Sequence, residues 1–131
     1  MEPIRQTTPN LIDIQEELIR HEPLFHRPEL GRTRQALEAM TAEDFWETGA
    51  SGRRYSREFV IDTVLQRFST KQEEQWTTED FFCQQIAPGH YLLTYTLHQG
   101  PRVTRRASLW RHIQDQWIAV YHQGTLVAGD I

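Results

Sequence analysis

From Thr8 to Phe68 apolar residues recur every three or four positions, whereas from Trp76 to Val127 they alternate with polar ones at a period of two. The first period predicts helices and the second predicts strands. Thr8-Pro9 reads as a helix start, with Thr8 as N-cap and Pro9 at the first helical position. Leu11, Ile14 and Leu18 then share one stripe, with Ile12 and Ile19 beside it. Glu22-Pro23 ends that helix, because the residue before a proline is pushed out of the α region. Leu30-Gly31 is a break, and Thr33 to Met40 is a second helix that buries Ala36, Leu37 and Met40. Phe45 to Thr48 reads as a short strand and Gly49 to Gly52 as a turn of small residues. Ser56 caps a third helix whose apolar face is Val60, Ile61, Val64, Leu65 and Phe68.

Four strands follow: "WTTEDFFCQQIA", "HYLLTYTLHQ", "RVTRRASLWRHI" and "WIAVYHQGTLV". In the second, Tyr91, Leu93, Tyr95 and Leu97 oppose Leu92, Thr94, Thr96 and His98 across the strand. Turn signals separate the strands at Pro88-Gly89, Gly100-Pro101 and Gln114-Asp115, which makes an antiparallel meander. Helices first and strands after predict an α+β fold with helices on one face of a sheet.

The remaining features narrow the function classes. With 131 residues, the chain is expected to be a single domain over 1–131 that buries its core without staples. A net charge of −4 argues against nucleic acid as partner. The basic run Arg102, Arg105, Arg106 and Arg111 is split between two strand faces. One cysteine, Cys83, excludes an internal disulfide. No apolar leader and no run near the ~20 residues of a membrane span is visible, so a cytoplasmic protein with no membrane partner is expected. His21 and His26 stand five apart with Pro23 between them, which rules out a helical i, i+4 metal pair. No metal and no cofactor are expected. "GASGRRY" lacks the Gly-x-x-x-x-Gly-Lys pattern of a phosphate loop and reads as a turn.

"AEDFWETGASGRRYSREFVIDTV" and "SLWRHIQDQWIAVYHQGT" resemble the nuclear-transport-factor-2-like superfamily, most of all its SnoaL-like branch of small bacterial proteins. The likeness runs from about Asn10 to Val127. It implies a cone: a strongly curved sheet, mixed or antiparallel, wrapped around N-terminal helices, with a pocket open at one end. Ketosteroid isomerase, scytalone dehydratase and polyketide cyclases use such a pocket for acid–base chemistry. Other members use the fold to assemble oligomers, so the fold does not choose the function.

Strand alternation puts Ile118, Val120, His122 and Gly124 on one face and Trp117, Ala119, Tyr121 and Gln123 on the other. A three-residue loop at Gln114-Asp115 sets Trp110, Ser108 and Arg106 beside Ile118, Val120 and His122; a two-residue loop shifts every pair by one. The resemblance favours the former. Across Gly100-Pro101, Tyr95 then pairs with Arg106 and Leu93 with Ser108. The implied pocket has walls of Leu93, Leu97, Trp110, Ile118 and Val120. Its polar groups are Tyr95, Arg106, Ser108 and His122, a mix suited to a small ligand. In the isomerase branch the short early strand carries the general base, which makes Glu47 a second catalytic candidate and Trp46 a lining candidate.

Two functions follow. One is a small-molecule-binding domain acting by proton transfer or dehydration on a small apolar ligand. There His122 is acid/base, Tyr95 and Ser108 are hydrogen-bond partners, and Arg106 is an anion anchor. The other is a non-catalytic association module, self-paired through the face of Trp117, Ala119, Tyr121, Leu92, Thr94 and Thr96. A homodimer is expected in both. The discriminator is the interior: a cavity holding His122 and Arg106, or one filled by Trp46, Tyr95 and Trp110.

Overall fold

A computed structural model describes residues 1–22, 33–69 and 76–129. The sequence signals at Leu30-Gly31 and His26 lie outside these residues. Pro9–Leu11 forms a 3₁₀ turn, and helix α1 (Ile12–His21) starts only after it. Thr8 is extended and makes no side-chain cap; the Leu11 N–H donates to its carbonyl instead, which tightens the entry into a 3₁₀ turn. Thr33 Oγ1 accepts from the Ala36 N–H at 3.1 Å and opens α2 (Arg34–Ala39). Ser56 Oγ accepts from the Phe59 N–H and opens α3 (Arg57–Ser69) in the same way. Strand β1 runs Thr41–Thr48, β2 Arg54–Ser56, β3 Trp76–Ala87, β4 His90–Gln99, β5 Arg102–Ile113 and β6 Gln116–Leu126. The three-residue β2 has no signal in the alternation pattern, being too short to show a period.

The sheet order is β2-β1-β6-β5-β4-β3. The meander β3 to β6 is antiparallel as expected, and β1 joins it parallel to β6. Register breaks in β1, β3 and β6 bend the strands, so the sheet curves strongly without closing. Its inner face receives Leu18 of α1, Leu37 of α2, and Ile61 and Val64 of α3. Against them stand Phe45, Cys83, Leu93, Leu97 and Trp110, all buried. Burial of the Cys83 thiol pushes its pKa up to about 11, as expected of an inert core thiol.

The β5–β6 turn corrects the register. Ile113 pairs with Gln116 across a two-residue turn in which Gln114 and Asp115 have φ of +50° and +61°. Such a left-handed pair matches the twist of the strands it joins. Trp110 therefore faces Ala119, and Val120 is the extra residue of a bulge before Tyr121 pairs with Leu109. Beyond the bulge Ser108 faces His122 and Arg106 faces Gly124. Trp117 and Ala119 thus belong to the buried inner row, not to the outer face, and Val120 drops out of that row. Across the β4–β5 turn, Tyr95 pairs with Arg106 and Leu93 with Ser108, as expected.

Candidate functional site

The residue that caps the C-terminus of α1, Glu22, points into the cone. Glu22, 2% exposed, takes three hydrogen bonds from inward-facing strand residues. The Tyr95 hydroxyl donates to Oε1 at 2.8 Å, the Ser108 hydroxyl to Oε1 at 2.5 Å, and the Trp110 indole N–H to Oε2 at 2.8 Å. His122 Nδ1 lies 2.6 Å from Ser108 Oγ and 3.5 Å from Glu22 Oε1. A serine hydroxyl carries one proton. With that proton on Glu22, its lone pair faces His122 and Nδ1–H is the donor. Burial pushes the His122 pKa down, with Arg106 adding to the effect, to about 3, so the ring is neutral. Burial raises the Glu22 pKa against the opposing pull of its three donors.

The cluster sits behind the mouth of the cone, and none of its members lines the cavity there. That cavity is about 300 Å³ and is walled by Tyr55, Val60 and Val64. Its polar groups are Glu47, Gln99, Arg67, Arg102 and Arg106. Glu47 reaches it because the parallel pairing of β1 with β6 sets Glu47 beside His122 on the inner face. Its side chain is 22% exposed, and Oε1 lies 4.0 Å from His122 Nε2. Burial raises the Glu47 pKa, while Arg106 and Arg67 oppose that rise. Arg106 is steadied by a 2.9 Å hydrogen bond from Nε to Thr104 Oγ1. Its guanidinium lies across Gly124, where a Cβ would stand 2.6 Å from Nη1. Half-burial lowers the Arg106 pKa, which marks a charge held at a cost to the fold.

The expected site therefore splits in two. Glu47 and Arg106 meet at the cavity, whereas His122, Tyr95, Ser108 and Trp110 are gathered behind it around Glu22. Leu93, with no exposed surface, packs in the core and lines nothing. Trp46 is corrected outright: neighbours on a strand point opposite ways, so with Glu47 inward Trp46 lies outward. It is 44% exposed and packs on Tyr121 at 4.5 Å. Val120 is excluded by the bulge described above. Glu22 was missed because it was read only as a helix stop. A signal existed: Glu22 follows Leu18 by four, on the apolar stripe of α1. Among the described residues no cluster of His, Cys, Asp and Glu is placed to hold a metal, and no helix is long and apolar enough to cross a membrane.

No protein-family profile matches the sequence, and no curated protein does. Solved structures match it closely in shape. A cystatin-like-fold protein from Caulobacter vibrioides aligns with a TM-score of 0.69 at 17% identity, over 90% of each chain. A nuclear-transport-factor-2-like protein from Cytophaga hutchinsonii aligns with a TM-score of 0.64 at 14% identity, over 93% of this chain and 100% of that one. A provisionally named ketosteroid isomerase from Parabacteroides distasonis aligns with a TM-score of 0.66 at 14% identity, over 95% and 97%. At these identities the likeness speaks for architecture, and it agrees with the strand order, curvature and helix placement found here: this chain has the nuclear-transport-factor-2-like, cystatin-like fold.

Proposed function

We propose that the chain binds a small organic molecule in the mouth cavity and moves a proton on it, as an isomerase or dehydratase does. Glu47 is the acid–base group and Arg106 the group that supports developing negative charge. The observation that carries this reading is the Glu47 carboxyl, open to a cavity of about 300 Å³ and raised in pKa by burial. A carboxyl moved towards neutrality can both take and return a proton. His122 backs Glu47 and fixes its surroundings, while Tyr95, Ser108 and Trp110 hold Glu22 behind it and Leu93 packs in the core. The test is deuterium incorporation at carbon, followed by NMR, for a set of 2-oxo acids and their esters. The native protein accelerates exchange of at least one by about a hundredfold, and Glu47→Gln returns it to the buffer rate. Equal exchange by Glu47→Gln and the native chain overturns the assignment.

A second reading, self-association without chemistry, is favoured by one observation: the exposed Trp46 packed on Tyr121 at 4.5 Å on the outer face. An aromatic pair of this kind suits the centre of an isologous contact. A monomer by light scattering at micromolar concentration removes it.

A further inference from the structure

Two guanidiniums at the mouth cavity, those of Arg102 and Arg106, have N–H donors that no acceptor among the described residues answers. Resting on the reading of that cavity as the ligand site, we propose that its ligand is an organic carboxylate with an apolar body, held by Arg102 and Arg106. Both guanidiniums line the cavity. The Arg106 side chain bonds only through Nε, to Thr104, and its Nη groups have no hydrogen-bond acceptor among the described residues. Arg102 is exposed at the rim, and its side chain has no hydrogen bond or ion pair among the described residues. Arg67 lines the same cavity and lies over the Trp76 ring at 5.2 Å. Among the described residues that line the cavity, Glu47 is the single carboxyl. Among the described lining residues, the Arg102 and Arg106 guanidiniums face one carboxyl, an excess of positive charge in a chain whose net charge is −4. A half-buried guanidinium with unanswered N–H donors is complementary to a planar anion, which it meets through two parallel bonds.

The other linings define the rest of the ligand. Tyr55, Val60 and Val64 offer an apolar wall that a bare inorganic anion would leave unused. Gln99 also lines the cavity, and its buried Oε1 has no partner among the described residues. An unanswered amide oxygen at this position asks for a ligand hydroxyl or N–H. The complement is thus a small acid: carboxylate at the Arg102–Arg106 side, apolar body on Tyr55 and Val60, and a donor group towards Gln99.

The test is titration of the isotope-labelled native protein, followed by amide NMR. The probes are benzoate, phenylacetate and 3-methylbutanoate, each beside its own amide, with inorganic phosphate as comparator. At least one carboxylate is expected to bind ten times more tightly than its amide, with shifts on Tyr55, Val60 and Gln99. Arg102→Met, at an exposed position without partners, keeps the melting temperature and reduces that preference below threefold. Amides that bind as tightly as the acids, with the same shifts, overturn the carboxylate assignment and leave the cavity as the ligand site. Phosphate binding as tightly as the best carboxylate overturns the apolar body. No shift on these residues with any probe overturns both this inference and the reading it rests on.

Discussion

Two carboxyls lie on either side of His122, and the fold treats them oppositely. Glu22 is sealed in and answered by three donors, from Tyr95, Ser108 and Trp110. Glu47 opens to a cavity and accepts no hydrogen bond among the described residues. Burial pushes both pKa values up, so a raised pKa does not tell them apart. Satisfaction does. A saturated polar cluster rigidifies the interior and has no valence left for a ligand. An unsaturated one at a cavity is where a ligand finds its partners. On the proposed function, the inner cluster is architecture and the mouth is the working surface.

The largest effect is expected at Glu22. Glu22→Ala strands three buried donors at once, and a lost buried acceptor costs each of them desolvation without return. The expected loss is about 3–5 kcal/mol in urea denaturation. Glu22→Gln keeps one oxygen but turns an amide N–H₂ towards donors, and about 1–3 kcal/mol is expected to go. A loss under about 1 kcal/mol for the alanine variant would deny the cluster its structural role.

His122 comes next, through pH. Its pKa falls from 6.5 to about 3 in the fold, so on acidification the unfolded chain binds the proton first. The stability tied to neutral, buried His122 is complete above pH 6.5 and is lost progressively towards pH 3. Glu22 and Glu47 have the opposite sign, since raised carboxyl pKa values favour the fold as pH falls. Comparing the native chain with His122→Asn separates the two. Between about pH 7.5 and 5 the variant should lose about 2 kcal/mol less than the native protein. Parallel pH profiles would mean that the ring takes up its proton in the fold as readily as in the unfolded chain and that the inner cluster is not closed.

This division was only partly legible in the sequence. Period-two alternation marks Tyr91, Leu93, Tyr95 and Leu97 as inward, and they are buried. Such a pattern holds because a half-buried strand has no other way to hide its apolar residues. The β5–β6 register was not legible, since one extra residue at Val120 reverses the alternation without changing composition. Trp117 was thereby assigned outward, although it packs inside and donates to Glu17 Oε2 at 3.1 Å. Glu22 was invisible as a site because its partners stand 73 to 88 residues away. A carboxyl gains its meaning from donors, and no local pattern announces contacts at that range. Glu47 was found through the resemblance, and the parallel pairing with β6 is what carries it inward.

A smaller effect on stability is expected at Gly124. A Cβ there would meet Arg106 Nη1 at 2.6 Å, and the end of a flexible side chain can move aside. Gly124→Ala should therefore cost no more than about 1 kcal/mol. The displaced guanidinium should nevertheless weaken binding of the best carboxylate probe about tenfold, a magnitude of about 1.4 kcal/mol. A large fall in stability with unchanged binding would place Arg106 with the inner cluster instead of the mouth.

The smallest effect, and the one that decides the comparison, is expected at Glu47. Replacing it with Gln removes a charge that burial disfavours and breaks no hydrogen bond made to it among the described residues. It also removes attraction to Arg106 and Arg67, which offsets part of the gain. At neutral pH Glu47→Gln should fall within about 0.5 kcal/mol of the native protein or above it. The sign follows from the raised pKa: the native chain loses stability as pH rises through that pKa, and the glutamine variant does not. The gap in favour of the variant should therefore shrink on acidification towards 4.5, the ordinary carboxyl value. Residues held for function commonly stabilise the fold when replaced, because they were not placed for stability. If Glu47→Gln instead loses 2 kcal/mol or more, on the order of a broken buried polar contact, Glu47 is a structural group like Glu22. The two carboxyls would then be one network spanning His122, and the mouth would have no acid–base group of its own.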